Sequence, residues 1–275
     1  MMEPESIIRQ TYYLLQTEYA DMMDQLAFAD VRIGPNLTAV CLSDGSYGVA
    51  STSTDPHFHS AKDKRDFGPF TPTQIKGQKL QALFETETAS QLKNTLKLAA
   101  LNALSGRLLS SGKYRVLEHT DPIDLIQIKP DMHIAMVGAF QSYIRKISET
   151  QARLTVLELD ENALGESQKA FFAPAAEYPR VIPEADVVII TGLTLVNNTL
   201  SGLLSAVAPG TKVIVTGPSS SLIPDVLFAN KVCYIGAVRV TNGPRLMEVA
   251  GEGGEGYHLF TYCADKICIV KNGGQ

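Results

Sequence analysis

The sequence predicts an α/β protein: a Rossmann-like parallel sheet domain over residues 129–275, preceded by a smaller α+β domain over residues 1–128. Three observations carry this. Four short β-branched runs, His133–Gly138, Leu154–Glu158, Asp186–Thr191 and Lys212–Gly217, follow one another at intervals of 21 to 32 residues. Each is followed by a helix-compatible stretch, the pattern of βα units whose strands are buried on both faces. Upstream, helical and hairpin patterns replace this alternation. A length of 275 residues also suits two domains at about 150 residues each.

In chain order, the first segment places Ile8, Tyr12, Leu15, Tyr19, Met22, Met23 and Leu26 on one stripe, with Pro4 and its flanking glutamates at a helix start. An amphipathic helix from Pro4 to Leu26 is predicted. Leu37–Leu42 and Tyr47–Ala50 are β-prone runs separated by Asp44-Gly45, a dipeptide that tolerates the positive φ of a hairpin turn. Residues 52–78 are polar, hold Pro56, Pro69 and Pro72, and read as a long loop of the kind that is often functional. From Thr88 to Leu109, small and apolar residues recur at helical spacing around Asn102, so another backbone can approach closely. The prolines at 122 and 130 mark the boundary. Beyond the four runs, Val232–Val240 reads as a fifth strand, and Leu259–Val270 as a terminal hairpin with Cys263 and Cys268 on opposite arms.

Composition narrows the function classes. The 24 basic residues against 29 acidic ones give a net charge of −5, which is not the basic footprint of a nucleic-acid binder. No apolar run approaches the roughly 18 residues of a membrane span, and the first residues lack a secretory signal pattern. Four cysteines without a C-x-x-C pair fit neither a zinc knuckle nor a disulfide scaffold, so the simplest expectation is a reduced, cytoplasmic protein.

In an open parallel sheet, ligands bind outside the carboxyl ends of the strands, where backbone N–H groups converge. Here those loops contain Gly138, Ala139 and Phe140; Glu158; Thr191 and Gly192; and Gly217, Pro218 and Ser219. Glycine at a strand end lets the backbone approach a ligand without an intervening Cβ. Glu158 follows Gly138 by about the interval at which a carboxylate meets ribose hydroxyls in dinucleotide-binding folds. The same residue also serves as an ordinary strand end. The first loop lacks the G-x-G-x-x-G fingerprint and no Walker A sequence occurs, which disfavours nicotinamide dehydrogenases and P-loop nucleotide binders. Ser219–Ser221 lack a G-x-S-x-G elbow, so anion contact suits them better than nucleophilic catalysis. Asn198 stands where a capping residue or a ligand contact is equally apt.

His57 and His59 alternate in Asp55-Pro56-His57-Phe58-His59, so an extended backbone aims both rings to one side, as a divalent or heavy metal ion would require. Solvated loop histidines have the same pattern.

The runs Ala185–Gly192, Asn198–Leu200 and Val215–Pro218, with Pro224 and Leu227-Phe228, resemble the DUF364 family of putative heavy-metal chelation proteins. Leu98–Ala103 and Met136–Phe140 are similar to the same family, and the resemblance extends from residue 30 to 270. It implies an amino-terminal domain similar to the enolase amino-terminal fold, a Rossmann-like second domain, and a site between them.

The functional expectation is a small-molecule binding protein or enzyme. Its interdomain cleft takes a small polar or anionic ligand, linked to heavy-metal chelation or to chelator, pterin or flavin-type metabolism. Asn102 is expected to face the Gly138 or Thr191 loop across that cleft. The alternative is a non-catalytic metal-binding module using His57 and His59. Neither nucleic acid nor membrane is an expected partner, and a second copy of the chain is an admissible one.

Overall fold

The computed structural model describes residues 6–53, 68–85 and 90–271. Ser6 caps helix α1 (Ile7–Glu18) by accepting the Arg9 N–H on its hydroxyl, and Ile7, Ile8, Tyr12 and Leu15 form the buried stripe. The predicted start at Pro4 lies outside the described residues. The helix is shorter than its apolar stripe: the backbone leaves it at Tyr19 (φ −137°), makes one more turn in α2 (Ala20–Met23) and extends into β1 (Phe28–Ile33), a strand not predicted from the sequence.

Strand β1 is the edge of a three-stranded antiparallel sheet with β2 (Leu37–Leu42) and β3 (Tyr47–Ser51). The predicted hairpin forms, with Gly45 at φ +80° in its turn. Residues 68–78, expected as polar loop, bury Phe70 and Ile75, and the Gln78 carbonyl accepts the Phe28 N–H at 3.0 Å. Helices α3 (Leu80–Glu85) and α4 (Gln91–Leu109) follow. Small residues on α4 do permit close approach: a Cβ on Gly48 of β3 would stand 2.1 Å from the Ala99 carbonyl oxygen. The opposite face of the small sheet is covered by helix Gly243–Gly251 from the far end of the chain, where Leu37, Ala39 and Val49 share one core with Leu246, Met247 and Ala250. Burial on both faces explains why β2 reads as a continuous apolar run.

The larger sheet collects β4 (Arg115–Glu118), β5 (His133–Val137), β6 (Arg153–Glu158), β7 (Phe172–Pro174), β8 (Val187–Thr191), β9 (Lys212–Thr216), β10 (Tyr234–Val240) and β11 (Ala264–Val270). Their order is β4-β11-β10-β9-β8-β5-β6-β7, parallel from β10 through β7, with β11 antiparallel to β10 and β4 antiparallel to β11 at the other edge. The chain builds outward from β5 to β6 and β7, then returns to lay β8 on the other side of β5. This reversal is where doubly wound folds place their ligands. The connecting helices are α5 (Gln141–Ser148), α6 (Tyr178–Val181), α7 (Leu193–Val196), α8 (Leu200–Ala206), α9 (Asp225–Ala229), α10 (Gly243–Gly251) and α11 (Gly256–Tyr262).

The predicted terminal hairpin is replaced by α11 followed by β11. Cys263 ends the helix and Cys268 lies mid-strand, opposite Gly236 of β10. Phe260 and Tyr262, two residues apart as on one face of a strand, sit on this short helix. Among the described residues, no helix is long and apolar enough to cross a membrane.

Candidate functional site

A crevice of about 670 Å³ opens at the strand-order reversal, lined by Gly138, Phe140, Glu158, Thr191 and Asn198 together with Tyr178 and Leu203. Glu158 ends β6 half-buried. One of its carboxylate oxygens accepts the Ala139 N–H at 3.1 Å and the other the Leu159 N–H at 2.7 Å. Two backbone donors therefore fix the carboxylate against the β5 loop, and each oxygen keeps a lone pair for a ligand. Gly138 makes this closure possible. It adopts φ +93°, and a Cβ there would lie 3.1 Å from Thr191 Cβ and Cγ2. Thr191 in turn accepts the Leu193 N–H on its hydroxyl and the Thr194 hydroxyl on its carbonyl. Neither asparagine caps α8, whose N-cap residue is Thr199: Asn197 instead makes a local turn before the helix, its side-chain oxygen accepting both the N–H and the hydroxyl of Thr199. Asn198 stands exposed at the rim with φ +59°. Glu158 is the only charged residue lining this crevice among the described residues.

The other predicted residues lie elsewhere. Gly192 packs against the next loop, where a Cβ would meet Ser220 N at 3.0 Å and Ser219 Cβ at 3.2 Å. Ser219 is fully buried and its hydroxyl accepts the Ser51 N–H of β3 at 2.8 Å, so it ties the two units together and is not exposed to an anion. Gly217 and Pro218 line a second cavity of about 600 Å³, which shares Phe140 with the first.

Asn102 is 3% exposed, and its amide donates to the carbonyls of Val49 (2.8 Å), Pro218 (3.3 Å) and Ser219 (3.3 Å). Three carbonyl acceptors fix which end of the amide is nitrogen, and its oxygen has no hydrogen-bond partner among the described residues. The expected contact with the Gly138 or Thr191 loop is thus replaced by one with the loop after β9. Asn102 borders a third cavity, about 590 Å³, set between the two units with Asp44, Tyr47, Arg107 and Val240. The predicted residues do not share one interdomain cleft: residues 137–203 alone line the Glu158 crevice, and of the predicted residues only Asn102 borders the cavity between the two units, because α4 packs directly onto the loops after β8 and β9.

His57 and His59 lie outside the described residues. Among the described residues, no group of three or more His, Cys, Asp or Glu side chains is placed to hold a metal ion.

Sequence reasoning missed a polar cluster in the second cavity. The Tyr143 hydroxyl donates to one oxygen of Asp121, and the Lys266 ammonium lies 3.1 Å from the other. Burial and the Asp121 charge push the Tyr143 phenol far above its ordinary range and the buried Cys268 thiol up to about 12, so both stay protonated. These residues come from three distant segments, and no local spacing announces them.

Fold and crevice together define an α/β protein with a large, mostly parallel Rossmann-like sheet and an open crevice at the reversal of its strand order. The chain belongs to the DUF364 family, whose model, described as putative heavy-metal chelation, matches residues 121–269. A DUF4213 model with the same description matches residues 17–105. Among solved structures, it is similar to a DUF364 protein of unknown function from Pyrococcus horikoshii, with 21% identity and a TM-score of 0.74 over 97% of this chain and 99% of that one. A DUF364 protein of unknown function from Desulfitobacterium hafniense DCB-2 gives 18% identity and a TM-score of 0.74 over 96% and 100%. These likenesses show the fold. An uncharacterized protein of Methanocaldococcus jannaschii is 26% identical over 154 residues, which are 54% of this chain and 55% of that protein. The chain spans about half the length of the curated relative it matches.

Proposed function

We propose that the crevice between β5, β6 and β8 binds a small nucleoside-type molecule, with ribose-like hydroxyls on Glu158 and a neutral or cationic ring against Phe140, Tyr178 and Leu203. The observation that carries this reading is the Glu158 carboxylate, held by the Ala139 and Leu159 N–H groups at the end of the second parallel strand. A carboxylate so fixed accepts from a pair of neighbouring hydroxyls without reorganising. No basic residue lines the crevice among the described residues, so the charge balance favours a ligand without phosphate over the anion expected from the sequence. In this reading the chain's part in heavy-metal chelation is to hold an organic chelator or its precursor, not the bare ion.

Titration calorimetry with adenosine and 2′,3′-dideoxyadenosine tests it. Adenosine is expected to bind, and Glu158→Gln to weaken it by about tenfold, because a neutral acceptor replaces a charged one. The dideoxy compound should bind weakly and equally to both proteins. Adenosine affinity unchanged by the substitution, or no nucleoside binding at all, refutes the proposal.

A further inference from the structure

The second cavity is separate from the Glu158 crevice, although Phe140 lines both. Its walls are largely apolar and aromatic: Pro122, Phe140, Pro218 and Ile267, with Tyr257 and Phe260 of α11 at the mouth. Tyr257 is 75% exposed and Phe260 38%, an unusual expense of aromatic surface beside a concave site. Asp121 and Lys266 are its charged lining residues among those described, and they carry opposite signs.

This pair is held, not loose. Tyr143, buried on α5, donates its hydroxyl to one Asp121 oxygen and so sets the plane of the carboxylate. Lys266 extends from β11, opposite Val238, and its ammonium lies 3.1 Å from the other Asp121 oxygen and 5.3 Å from the centre of the Phe260 ring. Lys266 is half exposed, and its ammonium has three donors, so donors remain for a ligand. A ligand of single charge would meet one attractive and one repulsive partner at nearly the same distance, and the two effects oppose each other. A zwitterion laid antiparallel to the pair satisfies both charges, and an apolar or aromatic substituent then rests on the ring-lined wall.

We propose that this cavity binds an α-amino acid with an apolar or aromatic side chain, its ammonium at Asp121 and its carboxylate at Lys266. The site stands on its own geometry and does not depend on what occupies the Glu158 crevice.

Titration calorimetry on the full chain with L-phenylalanine and L-leucine, against 3-phenylpropionate and phenethylamine, tests the assignment. At least one of the two amino acids is expected to bind, with each single-charge analogue at least about tenfold weaker, since each forfeits one charge-assisted contact. Lys266→Met should lower amino-acid affinity by about tenfold and strengthen phenethylamine binding, because the ammonium that repels it is gone, whereas Lys266→Arg should retain amino-acid binding. Failure of both amino acids to bind, equal affinity for the analogues, or indifference to Lys266→Met in a protein of unchanged melting temperature overturns the proposal. Glu158→Gln should leave amino-acid binding intact and Lys266→Met should leave adenosine binding intact, so failure at one site is distinguishable from failure at the other.

Discussion

Asn102 on α4 donates its side-chain amide to the Val49 carbonyl at 2.8 Å, and the same nitrogen reaches the Pro218 and Ser219 carbonyls, so one buried residue holds the β3 edge and the loop after β9 together. This role is structural. Asn102→Ala deprives those carbonyls of their donor and should destabilise the chain by about 2–3 kcal/mol. Asn102→Asp should cost more, because it turns a carboxylate toward three carbonyl oxygens. Thermal melts rank the two variants, and adenosine affinity of the folded Asn102→Ala protein should match the wild type.

Gly48 and Gly45 should respond to alanine for different reasons. At Gly45 a Cβ meets nothing within 4 Å, but the backbone is left-handed at φ +80°, so Gly45→Ala should cost about 1–2 kcal/mol from backbone strain alone. At Gly48 the added Cβ would lie 2.1 Å from Ala99 O and 2.4 Å from Ala103 N, both backbone atoms of α4 that cannot turn aside. Gly48→Ala should therefore cost at least about 3 kcal/mol, at or beyond the upper end of ordinary overpacking, and urea unfolding midpoints should separate the two.

The parallel core was legible because β5, β8 and β9 are buried on both faces and therefore read as apolar runs, with β6 broken only by Thr155. Strand β1 was hidden for the opposite reason. It is an edge strand with a register shift between Phe28 and Asp30, carries Asp30 and Arg32 on its exposed side, and follows an apolar stripe that runs through the helix break at Tyr19. Strand β4, four half-exposed residues, joins the large sheet only through its pairing with β11. At the site, Gly138, Glu158 and Thr191 could be placed from strand-end positions alone. The partner of Asn102 could not, because its contacts lie 53, 116 and 117 residues away in sequence. Asp121, Tyr143 and Lys266 share that difficulty, since only tertiary packing makes them neighbours.

Cysteine accessibility offers a check on the β11 register. Cys268 is fully buried with its thiol pKa raised to about 12, and Cys263 is 2% exposed with its thiol also pushed up by burial. Cys41 and Cys233 are partly exposed. Because the thiolate is the reactive form, iodoacetamide should label Cys41 and Cys233 in the native chain and reach Cys263 and Cys268 only after unfolding. Peptide mass mapping reads this directly, and early labelling of Cys268 would contradict its placement in the core strand.

His133 gives the fold a calculable acid sensitivity. At the start of β5 it is 6% exposed, with Nδ1 3.3 Å from the Glu184 carbonyl oxygen and Nε2 3.0 Å from the Thr155 hydroxyl. The carbonyl can only accept, so the neutral ring carries its proton on Nδ1 and takes the Thr155 hydroxyl on Nε2. Burial, and then the charge of Arg153, hold its pKa below the ordinary 6.5. The unfolded chain therefore binds more protons than the native one between that lowered value and 6.5, and stability rises with pH across this window. The contribution is complete above 6.5 and is lost as pH falls through the folded-state value. Urea midpoints measured stepwise from neutral into the acid range should decline accordingly, and His133→Gln should flatten that part of the profile. An unchanged slope in the variant would assign the acid sensitivity to other groups.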